Sequence, residues 1–349
     1  MKKLLCILVV CTLIPLSFSS CNYNSNQSYE KSKIVMDTVV DLSAYGANSQ
    51  KAVDESFKRL AEIDNMASTT KSDSDISKIN NASGTEYVKV HPEIMKMIEA
   101  SIKYSKLSGG AFDITMGPII KLWGIGTDKE RVPSETEIKD KIQLVGYDNI
   151  IINKKDNSVM LKIPGMDLDL GGIGKGFATD EVLKIYKKYN IKRGLINLGS
   201  SSIYAIGKNQ DANPWAIGIQ NPRSKKSDDY LGVIKISNQG LSTSGDYEQY
   251  FIKNGKRYHH IMDSKTGAPA ENGVMSDTIV IQGNVKDNSM LADVLTTTVF
   301  VLGPEKGIKL VESLPNVSCE ITGSDYKVYT SKGFKKNIED LNKNFKFSN

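Results

Sequence analysis

Cysteine is scarce in this 349-residue sequence, which contains only four. Three lie within the first 21 residues, at Cys6, Cys11 and Cys21, and Cys319 is alone in the rest of the chain. A single cysteine excludes an intrachain disulfide and a thiolate-rich metal site in the folded part. Cys319 lies in the strand-like run Val317–Ile321, so we expect it to be a small buried residue and not a nucleophile.

The sequence also lacks clusters of one charge. It has 45 Lys and Arg against 40 Asp and Glu, and the two signs are interspersed along the chain, for a net charge of +5. A nucleic-acid-binding domain needs a basic patch or stripe. We therefore expect a solvated surface and no nucleic-acid partner.

The one long apolar run lies at the N-terminus. Lys2 and Lys3 precede the apolar run Leu4–Leu16, and a short run of small residues leads to Cys21. This order is typical of an export signal and is too short for a spanning helix. It resembles a bacterial lipoprotein signal, so we predict a signal over residues 1–20, a lipidated Cys21 and a location on the outer side of the cytoplasmic membrane. Ordinary secretion is the alternative.

The polar residues 21–33 predict a flexible tether, followed by one folded domain over residues 34–349. In that domain, strand and helix patterns interleave without the regular alternation of a doubly wound sheet, so the predicted class is α+β. Ser134 and Glu137 form a capping box at the start of one helix. Further helices are predicted over 49–65, 177–189, 289–301 and 305–314 and after residue 91, and strands over 34–45, 149–152, 158–163, 195–198, 203–206, 215–219, 232–236, 247–252, 257–262 and 277–282, with a last hairpin around 323–325.

The stretch Asp167–Asp180 holds four glycines within six residues, together with Lys175, directly before a helical pattern. Glycine lets the backbone approach an anion closely and a helix N-terminus attracts negative charge, so the stretch can hold a phosphate. It is not a Walker loop, because Gly176 follows the lysine where Ser or Thr is needed, and its glycine spacing is not that of a dinucleotide fingerprint. Standing alone, it equally fits a glycine-rich turn with a surface lysine.

Asp293 and Thr297 form a second candidate site. They are four residues apart in a helical pattern, so a carboxylate and a hydroxyl share one helix face. Hard oxygen ligands of this kind suit Mg²⁺. A capping or core hydrogen bond is the simpler alternative. The surrounding run Ala292–Leu302 is otherwise apolar, however, so an embedded aspartate needs a partner.

The third candidate is the adjacent pair His259 and His260, two of the three histidines in the chain. Neighbouring residues on a strand point to opposite faces, so only one of them can serve a given site. Histidine is the usual general acid or base near neutral pH. The sequence shows no Ser–His or Cys–His arrangement with a third orienting group, and a structural histidine in a turn is an equal alternative.

Together these segments resemble the ApbE-like family of FAD:protein FMN transferases, in the family's order from Met36 to Gly303. Asp37, Ser264 and the run Gly199–Ser202 differ from the residues common in the family, and none of these differences removes an ionisable or metal-binding group. The matching motifs are Met36–Thr38, Gly110–Asp113, Asp169–Gly176, Asn221–Pro222 after Trp215, Thr243–Tyr247, His260–Asp263 with Thr266–Gly267, and Ala292–Asp293 with Thr297.

The resemblance implies one α+β domain of the ApbE, T-fold-like type, with a mixed sheet and flanking helices. It implies a Mg²⁺-dependent transferase that splits FAD, passes FMN to a threonine or serine hydroxyl of an acceptor protein, and releases AMP. Asp293 and Thr297, with backbone oxygens of Gly174 and Thr296, would hold the metal, and His260 would act with Asp293 in catalysis. The residues implied for the FAD site are Met36, Ala111, Phe112, Asp113, Gly171, Lys175, Phe177, His260 and Ile261.

Three alternatives stay open at the level of sequence. A Mg²⁺-dependent FAD pyrophosphatase giving FMN and AMP would need the same groups, with water in place of the acceptor hydroxyl. A flavin-carrier lipoprotein would hold FAD without turnover, and the Asp293–Thr297 pair argues against it. A solute-binding lipoprotein usually has two α/β lobes, which the pattern after Gly194 does not indicate. The acceptor protein and the oligomeric state are not encoded in any recognisable motif.

Overall fold

The computed structural model describes residues 27–226, 228–283 and 285–348. The predicted signal over residues 1–20 and the predicted lipidation site Cys21 lie outside these ranges. The prediction of a tether over residues 21–33 and a domain beginning at residue 34 was wrong at its boundary, because the first strand begins at Ser28. Lys31 and Lys33 hold this strand in place, since their ammonium groups lie 5.9 and 5.3 Å from the ring centroid of Phe57.

Seven α-helices and nineteen strands form in the described ranges. None of these helices combines the length and the apolar character that crossing a membrane requires. The helices are α1 Ser49–Ala67, α2 Asp75–Asn81, α3 Pro92–Leu107, α4 Gly117–Trp123, α5 Glu135–Ile142, α6 Gly174–Lys188 and α7 Asn288–Glu312. The strands are β1 Ser28–Val35, β2 Thr38–Tyr45, β3 Val88–Lys89, β4 Ile150–Asn153, β5 Ser158–Leu161, β6 Gly194–Leu198, β7 Ser202–Ile206, β8 Trp215–Gln220, β9 Tyr230–Ile236, β10 Gln239–Gly245, β11 Tyr250–Lys253, β12 Lys256–His259, β13 Met262–Asp263, β14 Ala268–Pro269, β15 Val274–Ile281, β16 Val317–Gly323, β17 Lys327–Thr330, β18 Ile338–Glu339 and β19 Lys346–Phe347.

A nine-stranded sheet organises these elements, in the order β1-β2-β6-β7-β10-β15-β16-β17-β19. It is antiparallel except for the β17–β19 pair. Helices α1, α6 and α7 cover one face, where Val40, Leu198 and Ile279 are fully buried. The three-stranded sheet β18-β9-β8 packs on the other face against Leu241 and Val280. The predicted α+β class, with one large mixed sheet and flanking helices, is confirmed.

The predicted single strand over residues 34–45 is instead a hairpin of β1 and β2. Its two-residue turn consists of Met36 and Asp37, and both have φ of 56°. Positive φ at both positions is what a tight turn between twisted strands requires. Asn and Gly usually signal this turn, and neither is present here. The turn matters for function because it directs Met36 towards the N-terminus of α6.

Several other predicted elements form where the hydrophobic pattern indicated. The capping box of Ser134 and Glu137 begins α5, and Cys319 is fully buried. The two helices predicted over 289–301 and 305–314 are the two halves of α7, which breaks at Gly303, with φ of 76°, just before Pro304. The sequence did not predict strand β10, because it consists mainly of Gly, Ser and Thr and so lacks the alternation of apolar and polar residues that indicates a strand.

Helices α6 and α7 pack in direct backbone contact at Gly176. A Cβ atom at this position would lie 2.3 Å from the carbonyl oxygen of Ser289 and 2.6 Å from Cβ of Asp293. One turn later, the carboxylate of Asp180 accepts hydrogen bonds from the backbone N–H groups of Ser289 (3.0 Å) and Met290 (2.9 Å). Asp180 therefore caps the N-terminus of α7 from the neighbouring helix and satisfies two otherwise free amides.

We predict that Gly176→Ala lowers the free energy of unfolding by about 2–3 kcal/mol, because the added methyl group forces α6 and α7 apart. Gly174→Ala is the matched control in the same helical turn, since the nearest atom to its added Cβ is Cε of Met36 at 3.7 Å. That variant should be neutral or slightly stabilised, as alanine favours a helix over glycine. Urea denaturation measures both, and equal midpoints for the two variants would contradict the close-contact account.

Candidate active site

A cavity of about 440 Å³ opens at one end of the central sheet. Its wall includes the β1–β2 turn, the β6–β7 turn, the end of β10, the first turn of α6 and the first half of α7. This volume lies in the usual range of about 300–1,000 Å³ for small-molecule sites. Ten of the thirteen predicted site residues line it: Met36, Ala111, Phe112, Asp113, Gly171, Lys175, His260, Ile261, Asp293 and Thr297.

One end of the cavity is polar and is built where α6 meets α7. The carboxylate of Asp293 is 5% exposed and accepts a hydrogen bond of 2.8 Å from the backbone N–H of Gly176. Burial raises the pKa of Asp293, while the Lys175 charge and the Gly176 amide lower it. Thr297 lies one turn further along α7, and a Cβ at Gly172 would come within 3.2 Å of its Oγ1. A side chain at position 172 would therefore crowd this hydroxyl and the ring of Phe112, whose nearest atom would lie 3.0 Å away.

The donor atoms at this polar end suit a hard cation. Within the described ranges, no three His, Cys, Asp or Glu side chains converge into a metal-binding cluster. A metal beside Asp293 would therefore draw its other ligands from the Thr297 hydroxyl, backbone carbonyls, water or a bound phosphate. Oxygen ligands with few protein carboxylates are the usual environment of Mg²⁺ at phosphate sites. A nearby cation also stabilises the ionised form of a buried carboxyl group whose pKa is raised. The residues therefore fit magnesium.

Three predicted site residues are not among those that line the cavity, and their assignment stays a prediction. Phe177 is 1% exposed and packs in the core, because it follows Gly176 by one residue and the helical rotation turns it away from the cavity. Thr296 is equally buried, and its hydroxyl donates to the carbonyl oxygen of Asp293 at 2.8 Å. Gly174 begins α6 and is not among the lining residues, although a Cβ at this position would lie 3.7 Å from Cε of Met36, which does line the cavity.

The two adjacent histidines face opposite sides, as the strand pattern predicts. His259 is buried, and its Nε2 lies 3.1 Å from the carbonyl oxygen of Ala270, so its role is structural. His260 lines the cavity, and its Nδ1 lies 3.3 Å from the carbonyl oxygen of Gln249. A carbonyl only accepts, so Nδ1 carries the ring proton and Nε2 keeps its lone pair. Desolvation in the wall, together with the Lys175 charge, lowers the pKa of His260 to about 4, and the imidazole is neutral at pH 7.

The other end of the cavity is apolar. Ala111 is joined there by Met116, Ile120 and Ile125, which the sequence did not single out, and by Met262 of the motif His260–Asp263. Such a surface suits a flat ring system. The ring of Phe112 instead lies beside Gly172, close to Thr297. Asp113 also lines the cavity, but its carboxylate accepts hydrogen bonds from the Thr115 amide (2.8 Å), the Thr115 hydroxyl (2.7 Å) and the Tyr147 amide (2.9 Å). It holds the loop in shape and has little capacity left for a ligand.

Other residues of the wall were also missed at the sequence level. Gln249 orients His260 through a backbone carbonyl, which no residue type signals. Glu248, the residue before Gln249, also lines the cavity. It directly follows the motif Thr243–Tyr247, and this position in the sequence could have identified it as a site residue. Asp169, by contrast, belongs to the motif Asp169–Gly176 and lines the polar end, where its carboxylate accepts a hydrogen bond of 2.7 Å from the Gly171 amide.

Comparison with known proteins agrees with this geometry. The sequence pattern of the ApbE family matches residues 36–321 of the chain. The FAD:protein FMN transferase of Haemophilus influenzae is 30% identical over 351 residues, covering 97% of this chain and 99% of that protein, and that of Treponema pallidum is 30% identical over 91% of each. The ApbE protein of Thermotoga maritima is 32% identical with a TM-score of 0.81, covering 90% of this chain and 100% of that structure. The flavin transferase ApbE of Vibrio cholerae is 28% identical with a TM-score of 0.77, covering 89% and 99%. By sequence over most of its length, and by fold, this chain belongs to the ApbE family.

Proposed function

We propose that this protein transfers FMN from FAD to a threonine or serine hydroxyl of an acceptor protein and releases AMP in a Mg²⁺-dependent reaction. One observation carries the proposal: a single cavity places a polar end, with Asp293, Thr297 and Lys175, beside a neutral histidine and an apolar end. Its relatives in Haemophilus influenzae and Treponema pallidum carry the name FAD:protein FMN transferase, which supports the same assignment.

The polar end suits the pyrophosphate of FAD. Lys175 supplies a positive charge in the first turn of α6, where the positive end of the helix dipole adds to it. Gly171 and Gly172 bring backbone close to the same point without side chains. Asp293 and Thr297 would hold Mg²⁺, which in phosphoryl transfer neutralises charge on the phosphate oxygens. The apolar end of the cavity would take a ring of FAD.

His260 is the candidate general base. Its free Nε2 accepts the proton of the acceptor hydroxyl, and the hydroxyl oxygen forms a new bond to the phosphorus of the FMN half. The bond between that phosphorus and the bridging oxygen breaks, so AMP leaves with the bridging oxygen. The products are a phosphoester of FMN on the acceptor, AMP and a protonated His260. The Gln249 carbonyl holds the imidazole in the tautomer that this step needs.

The direct test mixes the mature protein with FAD, Mg²⁺ and a candidate acceptor domain, and then looks for flavin fluorescence on the acceptor after denaturation. Covalent fluorescence supports the transferase. Free FMN without labelled acceptor would indicate a pyrophosphatase, since water could take the place of the acceptor hydroxyl at the same base. Tight binding of unchanged FAD would indicate a flavin carrier.

We predict that Asp293→Asn reduces the FMN transfer rate at least about 100-fold and raises the Mg²⁺ concentration needed for half-maximal rate, because the only carboxylate proposed for the metal loses its charge. Asp169→Asn is the matched control, since it also lines the polar end but needs only an acceptor oxygen for the Gly171 amide. It should lose less than about tenfold. An Asp293→Asn enzyme with normal rate and normal Mg²⁺ dependence would remove the metal assignment.

We predict that His260→Ala lowers kcat by about 10²- to 10⁴-fold with little change in FAD affinity. The wild-type rate should stay level as the pH falls from 8 to 5 and drop as it passes about 4, where His260 gains a proton and can no longer accept one. His91→Ala is the control, as this half-exposed histidine lies at the start of α3 away from the cavity. A full transfer rate for His260→Ala at saturating FAD and acceptor would exclude the base role.

We also propose that the protein is exported and anchored by a lipid on Cys21 to the outer face of the cytoplasmic membrane. With β1 beginning at Ser28, only residues 22–27 would separate the lipid from the folded domain. The mass of the mature N-terminus tests this. A lipid-modified cysteine as the first residue is expected, and an unmodified chain released into the medium would contradict it.

A further inference from the structure

The chain enters the folded domain at the end of the central sheet that lies opposite the cavity. Strand β1 begins at Ser28 and ends beside the turn of Met36 and Asp37, which lines the cavity. Its eight residues separate the two ends by about 26 Å, at about 3.3 Å per residue. The first turn of helix α6 also lies in the cavity wall, and its last residue, Lys188, is about 21 Å away.

Hydrogen bonds fix the point of entry. The carbonyl oxygen of Gln27 accepts a hydrogen bond of 2.8 Å from the Gly46 amide. The end of α6 lies here too, since the side-chain amide of Asn48 donates to the carbonyl oxygen of Tyr189 at 3.5 Å. A lipid on Cys21 would be joined to this point by residues 22–27, which span at most about 20 Å. The membrane surface would therefore lie within that distance of this end of the domain.

The surface around the point of entry is basic. Tyr45 pairs with the first residue of β1, and its amide donates to the carbonyl oxygen of Arg193 at 3.0 Å. The carbonyl oxygen of Lys192 lies against Gly207, where an added Cβ would be 2.2 Å from it. The loops before β6 and after β7 therefore bring Lys192, Arg193 and Lys208 together, and both lysines are exposed.

Lysines at the end of α6 extend this basic surface. Lys187 lies in the last turn of the helix and is exposed. It lines a second cavity, of about 300 Å³, together with the exposed Lys286 from the loop before α7. Among the residues that the structure describes, no carboxylate forms an ion pair with these two lysines or with Lys192, Arg193 and Lys208. Their charges are free to act on a partner outside the domain.

Few carboxylates oppose this charge. Glu55 of α1 is bound by Lys188 at 2.8 Å. Glu30 of β1 and Asp211, in the loop after β7, are exposed. Basic side chains therefore outnumber free carboxylates at this end of the domain.

Two aromatic side chains accompany the basic residues. Trp215 is half-buried, its indole N–H donates to the carbonyl oxygen of Ile206 at 3.3 Å, and its ring centroid lies 6.4 Å from that of Tyr45. Tyr189, half-buried at the end of α6, donates its hydroxyl to Glu55 at 2.7 Å. Trp and Tyr are enriched at membrane–water interfaces, because each has an apolar ring and a polar tip. Together with unpaired lysines, they suit a surface of lipid headgroups.

We propose that this end of the domain is a membrane-docking face that binds anionic lipid headgroups, so that the cavity opens away from the membrane. The docking face consists of Lys187, Lys192, Arg193, Lys208, Tyr189 and Trp215. Each Lys or Arg close to an anionic membrane strengthens binding by roughly fivefold. The docking face depends on the proposed lipid anchor at Cys21 only for being held near the membrane, because its side chains would bind headgroups without a lipid. An acceptor protein would reach the cavity from the side remote from the membrane.

Vesicle binding tests the charge of the docking face without the anchor. The mature chain from residue 21, carrying Cys21→Ser, is titrated with vesicles of phosphatidylglycerol and phosphatidylcholine, and with vesicles of phosphatidylcholine alone. We expect binding to the anionic vesicles only, and weaker binding as salt is raised from about 0.1 to about 0.5 M. The double variant Lys192→Glu, Lys208→Glu should bind at least about tenfold more weakly.

The matched control is the double variant Lys253→Glu, Lys265→Glu. It changes the net charge equally, but at exposed lysines that closely follow the cavity-lining residues Gln249 and Met262. It should weaken binding less than about threefold, because these lysines lie more than a Debye length from the membrane. No binding to anionic vesicles, or an equal loss in both double variants, overturns the docking face. The assay contains no FAD, metal or acceptor, so either failure leaves the transferase assignment intact, and the mass of the mature N-terminus tests the anchor separately.

Quenching of a fluorescent label tests which end of the domain faces the lipid. Cys319 is fully buried, so a surface cysteine added to the Cys21→Ser chain can be labelled alone. Asn213→Cys places the label two residues before Trp215, and Ser324→Cys places it in the β16–β17 turn at the cavity end of the sheet. On anionic vesicles that contain a nitroxide-labelled lipid, the label at position 213 should be quenched several-fold more than the label at position 324. Equal quenching, or stronger quenching at position 324, overturns the proposed orientation.

Discussion

The contact between α6 and α7 is the constraint on which the rest of the site depends. Gly176 has no side chain, so the two helices touch backbone to backbone, and its amide holds the carboxylate of Asp293. Asp180 closes the same interface by capping the first turn of α7. Because of this contact, the glycine loop before α6 and the Asp293–Thr297 pair face the same cavity although more than a hundred residues separate them. Neither segment alone has the sequence of a phosphate-binding motif.

The cavity divides its chemistry between two ends. Carboxylates, a lysine and glycine backbone lie at the α6–α7 end, and Met116, Ile125 and Met262 lie at the other. His260 lies in the wall with a lowered pKa, so it is neutral and able to accept a proton at physiological pH. His259, its neighbour in sequence, is buried on the other side and contacts the carbonyl oxygen of Ala270. Because side chains alternate along a strand, one histidine has a structural role and the other faces the site.

Much of this arrangement could be predicted from the sequence, and the failures have physical causes. Periodicity and capping signals located α5 and the two halves of α7, and family motifs identified most of the cavity wall. The turn at Met36 and Asp37 escaped detection because it lacks Asn and Gly. Phe177 and Thr296 do not line the cavity, because a motif gives proximity in sequence and not the side of a helix that faces the cavity. The contribution of Gln249 comes from its carbonyl, which every residue has.

The central claim is that a divalent cation beside Asp293 and Thr297 holds the pyrophosphate of FAD. Anomalous diffraction from crystals soaked with FAD and Mn²⁺, used in place of Mg²⁺, tests this most directly. The account predicts one strong peak within coordination distance of the Asp293 carboxylate and the Thr297 hydroxyl, in contact with a phosphate oxygen of FAD. FAD bound in the cavity with the peak elsewhere, or with no peak near these two residues, would contradict it.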